Sequence, residues 1–136
     1  MNLKAENAWT IGVLLLLIAV VLGELSVLFD DYVFRRIGIN RNYLLVFLWL
    51  FPLGAAFIAS CYSSKYKIVA GLSYALIFPL LAAIGHFISS EMGGAIDFIG
   101  VSGAIVYFKI NFVIGMFFIM VGTFVGFLFS MKGKSN

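Results

Sequence analysis

The stretch TIGVLLLLIAVVLGELSVLF at residues 10–29 contains a single charged group, Glu24, in an otherwise apolar run. A helix rises about 1.5 Å per residue, so about 20 such residues cross a hydrocarbon core of roughly 30 Å. Residues 43–62, 68–88 and 112–129 repeat the pattern. Hydrocarbon offers no partner to a bare N–H or C=O, so each segment must satisfy its own backbone and reads as a helix. The fold expected is an all-α integral membrane protein, an antiparallel bundle of four transmembrane helices.

Composition narrows the class further. With 63% hydrophobic and 11% charged residues, the chain departs from ordinary soluble domains. The longest stretch between spans, residues 89–111, is too short to hold a separate folded core, so residues 1–136 read as one membrane domain. The first apolar run is longer than a usual signal core, and Gly23-Glu24-Leu25-Ser26 offers no small-x-small cleavage site, so it reads as a retained span. Cys61 is the only cysteine, which leaves neither an internal disulfide nor a cysteine-based metal cluster and suits a small packing residue.

The formal net charge is +3, but its basic residues fall on both sides of the membrane, so no nucleic-acid partner is expected. Four spans put Lys4, Lys65, Lys67, Lys132 and Lys134 on the side of the termini, against Arg35, Arg36, Arg41 and Lys109. The positive-inside rule then favours cytoplasmic termini, with a bacterial inner membrane as the expected location. Trp9, Tyr43, Tyr62 and Tyr66 mark headgroup levels near the span ends. The five-residue link 63–67 makes the second and third helices a hairpin. Residues 89–111 are partly apolar and glycine-punctuated, with Gly93-Gly94 suggesting a turn. They are expected to form an interfacial segment, the alternatives being a re-entrant element or the start of the fourth helix.

Small residues predict helix packing. At 100° per residue, Gly12, Ala19 and Gly23 share one stripe of the first span, extended by Ser26, and Gly115, Gly122 and Gly126 share one on the fourth. Their matched spacing predicts a close contact between the first and fourth helices; Gly122 and Gly126 alternatively suit self-association. Pro52 and Pro79 each sit near the middle of a span and predict kinks.

Polar residues in the spans are few. Glu24 lies about 7 Å from its span end, where an ionisable group needs pairing, protonation or nearby water. His86 lies close to the end of the third span on the same side, and histidine titrates near neutral pH. Together with Glu91, Asp97, Arg35, Arg36 and Lys109 they form a candidate functional cluster. Such a cluster suits a structural hydrogen-bonded pair or proton and ion handling. A metal site has no supporting ligand spacing. No nucleophile and base at catalytic spacing, phosphate loop or paired-carboxylate motif is present, so neither an enzyme nor a cofactor is expected. The leading expectation is a non-catalytic protein acting on another membrane protein, as accessory subunit, regulator or immunity-type inhibitor. The alternative is a small proton- or ion-coupled transporter or channel subunit using Glu24 and His86.

Overall fold

The computed structural model describes residues 5–29, 35–38, 40–92 and 100–132. The described chain is helical throughout its regular elements: α1 (Ala5–Leu28), α2 (Arg35–Ile37), α3 (Arg41–Leu48), α4 (Leu50–Tyr62), α5 (Lys67–Leu72), α6 (Tyr74–Glu91) and α7 (Gly100–Lys132). Four stretches are long and apolar enough to cross a membrane: Asn7–Leu28, Asn42–Tyr62, Lys67–Glu91 and Gly100–Lys132. The outward faces of all four carry large exposed apolar side chains, among them Val21, Val46, Leu76 and Phe117. Lipid-facing helices need no polar face, because hydrocarbon is as apolar as leucine.

The second and third apolar stretches are each interrupted once, upstream of their proline. Trp49 separates α3 from α4, three residues before Pro52, and its N–H reaches back to the Val46 carbonyl at 3.2 Å in a tightened turn. Proline at position 52 has no N–H for the Leu48 carbonyl, and its ring crowds that turn. Ser73 separates α5 from α6, further upstream of Pro79. There the Ser73 hydroxyl donates to the Ala70 carbonyl at 2.8 Å, a local bond that competes with the helix ladder. Between α4 and α5, Tyr66 adopts the left-handed region (φ 52°), and Lys67 donates its Nζ to the Cys61 carbonyl at 2.8 Å, satisfying an acceptor left over at the end of α4.

Packing centres on α7, which lies against both α4 and α6. Its glycines approach backbone: a Cβ at Gly126 would stand 2.5 Å from the Phe57 carbonyl oxygen, and one at Gly122 would overlap the carbonyl of Leu53. Ser60 crosses the same seam, its hydroxyl donating to the Thr123 carbonyl at 2.9 Å. Leu53 beside Gly122 and Phe57 beside Gly126 show α4 and α7 running in the same sense. Along α5 and α6 the order reverses, with Gly71 beside Thr123, Phe78 beside Gly115 and His86 beside Tyr107.

Two expectations are corrected here. The first and fourth helices are not the close pair: α1 packs on α4 and α6 instead. Matched spacing marks faces that permit close approach without choosing the partner, and α4 offers α7 the small residue Ala56 beside Gly122. On α1, Gly12 accommodates the ring of Tyr74, Ala19 joins the core and Gly23 faces Leu48 at 3.7 Å. Residues 100–111 are not a separate interfacial segment either, since they are the first three turns of α7. Gly103 is buried on the packed side and does not break the helix. Gly93-Gly94 lies outside the described residues.

The end of the molecule near Trp9 is held by Tyr74. Its fully buried ring stacks on Trp9 at 6.0 Å, and its hydroxyl donates to the Trp9 carbonyl at 2.7 Å. Tyr74→Phe is expected to cost about 1 kcal/mol through that lost bond and to lower the thermal unfolding midpoint in detergent. An unchanged midpoint would show that the bond carries no net stability.

Candidate functional site

Glu24 and His86 meet at the opposite end, where α1 and α6 run side by side in the same sense. The ladder that brings them together starts with Gly12 beside Tyr74 and reaches Gly85, whose Cβ position faces Val20 and the Glu24 side chain. Glu24 Oε2 lies 3.9 Å from His86 Nδ1, with side chains only 13% and 4% exposed. The imidazole is clamped on its other side by Tyr107, whose ring stacks on it at 3.8 Å and 9°. Ser89, also buried, stands one turn further along α6 beside the Glu24 carboxyl. Ser90 ties this end of α6 to the start of α7 by accepting from the Gly100 N–H at 3.3 Å and donating to the Phe87 carbonyl at 2.8 Å.

A cavity of about 250 Å³ opens beside the pair. Its walls come from α1, α3, α6 and α7, with Trp49 at the junction of α3 and α4. Glu24, Tyr107 and Asn111 are its polar lining, and the rest is aliphatic or aromatic. Because α1 and α7 both line this space, the cavity occupies part of the region where the two small-residue stripes would have met. Gly23 and Ala19 border it.

The expected cluster is brought together in part. Glu24 and His86 are in contact range. Glu91 is exposed at the end of α6, Arg36 is exposed in α2, and Lys109 is exposed on α7. Asp97 and the side chain of Arg35 lie outside the described residues. Among the described residues no three His, Cys, Asp or Glu side chains converge on one point. Tyr107 and Asn111 are the wall residues that sequence reading missed. They sit four apart, on one helical face, and Asn111 Nδ2 donates to the Tyr107 carbonyl at 2.8 Å, so continuing the fourth helix upstream through residue 100 would have found them.

A carboxylate beside an imidazole can hold and pass a proton, and the stacked tyrosine fixes the imidazole plane while it does so. No known protein family, no curated protein and no solved structure matches the chain in comparison searches.

Proposed function

We propose that this is a small non-catalytic integral membrane protein that handles a proton or small cation at Glu24 and His86. The observation that carries the reading is the 3.9 Å approach of these two nearly buried groups, with Glu24 at the wall of a cavity. Ionisable side chains inside membrane segments are costly and concentrate on transport paths and relays. In this reading the four apolar stretches cross a bacterial inner membrane as an antiparallel bundle with cytoplasmic termini, the side favoured by five basic residues over four. A bundle of this size would self-associate or join a partner to complete a pathway.

Reconstituted in vesicles with an internal pH dye, the wild type is expected to move protons or cations in response to a pH gradient. Glu24→Gln, which keeps the shape and removes the charge, is expected to lose that flux. Equal flux from the two proteins would refute the reading.

The second reading is an accessory subunit, regulator or immunity-type inhibitor that binds another membrane protein. One feature favours it: α7 has 33 residues, about 50 Å at helical rise, against a core of about 30 Å. Near its start Val101 and Ile105 are exposed and offer an apolar recognition surface. Purification in mild detergent should then recover a stoichiometric partner, and isolation of a lone monomer from its native membrane would argue against it.

A further inference from the structure

We infer that the cavity beside Glu24 is a binding site for an organic ammonium ion carrying an apolar body. The inference rests on the proposed role of Glu24 and specifies what that carboxylate meets. Charge, shape and lining lead to the same ligand chemistry.

Glu24 is the only acidic residue in the lining, and no lysine or arginine lines the cavity. Its Oε2 is buried and has no hydrogen-bond partner among the described residues. An anion would meet the carboxylate directly, and a neutral apolar ligand would bring no donor or charge to its buried Oε2 beyond what His86 offers at 3.9 Å. A hard metal ion needs several oxygen donors, usually six or more for calcium, and the lining supplies one carboxylate. An ammonium with alkyl or aryl substituents needs fewer. It is weakly hydrated, pairs with one carboxylate and is attracted to aromatic faces, and Trp49, Phe78 and Tyr107 provide rings in the same wall. The remaining surface, including Val20, Leu45 and Ile110, takes the apolar body.

Such an ammonium has two sources, a free amphipathic amine and the headgroup of an aminophospholipid.

The test is calorimetric titration of the purified protein in mild detergent with benzyltrimethylammonium and with neopentylbenzene, its uncharged isostere. The ammonium is expected to bind, the isostere to bind about tenfold more weakly or worse, and Glu24→Gln to remove that preference. Gly23→Leu is expected to abolish binding. A Cβ at Gly23 meets only Leu48, at 3.7 Å, so the larger side chain has room to enter the cavity. Should that variant fail to fold, Ala82→Leu fills the cavity from α6 instead. Absence of binding, equal binding of charged and uncharged ligands, or binding indifferent to these variants would each overturn the inference.

Repeating the titration in nanodiscs of phosphatidylglycerol, with and without phosphatidylethanolamine, separates the sources. Competition by phosphatidylethanolamine assigns the site to the lipid ammonium, and its absence assigns it to the free amine; both uphold ammonium recognition. Flux that depends on Glu24 without ammonium binding would sink this inference and leave the proposed function standing. Binding without such flux would do the reverse.

Discussion

The double variant Gly122→Ala and Gly126→Ala is expected to lose about 3 kcal/mol or more of stability, read as a lower sodium dodecyl sulfate fraction at the midpoint of unfolding followed by circular dichroism. At Gly126 the new methyl would stand 2.5 Å from the Phe57 carbonyl oxygen and 3.1 Å from its Cα. At Gly122 it would meet the Leu53 carbonyl and lie 3.2 Å from the Ala56 methyl. Neither obstacle is the end of a flexible side chain, so α7 must move away from α4. That movement also strains the Ser60 bond to the Thr123 carbonyl. The contrast is Gly54→Ala, where a Cβ would meet nothing within 4 Å. In a helix that change is expected to be neutral or to stabilise by up to about 1 kcal/mol, because alanine loses less backbone entropy than glycine. Wild-type stability in the double variant would mean that the α4–α7 seam is not tight.

His86→Phe is expected to keep the helices assembled while cutting Glu24-dependent flux about tenfold or more. Phenylalanine retains a flat ring to lie on Tyr107, where the imidazole now stacks at 3.8 Å. It removes Nδ1, which lies 3.9 Å from the Glu24 carboxyl. One polar interaction with a charged group is worth about 1.5 kcal/mol or more, which corresponds to the tenfold change. The variant therefore distinguishes two roles for histidine. If flux persists and thermal stability falls, His86 serves helix register and carries no proton.

Why some of this was readable from the chain and some was not follows from the forces involved. The four apolar stretches were legible because hydrocarbon demands length and apolarity of each segment separately; the stretch at 10–29 needs no knowledge of the others. Glu24 and His86 were legible as neighbours because topology put both near the same membrane face. Helix pairing was not legible, since Gly122 and Gly126 signal a thin face and the choice between Ala19 and Ala56 as neighbour depends on the whole assembly. Tyr107 was hidden for a different reason. Glycines at 93, 94, 100 and 103 suggested broken structure, whereas in lipid, packed glycines are compatible with a continuous helix.

The central position of α7 also bears on biosynthesis. A ribosome delivers α1, α4 and α6 to the bilayer before it has made α7, yet α4 and α6 both pack on that last helix. Until it arrives, Ala56 and Gly71 have only lipid in place of their final neighbours Gly122 and Thr123. The early helices thus wait in the membrane with their thinnest faces uncovered, a window in which membrane chaperones or proteases can tell an unfinished chain from a completed one.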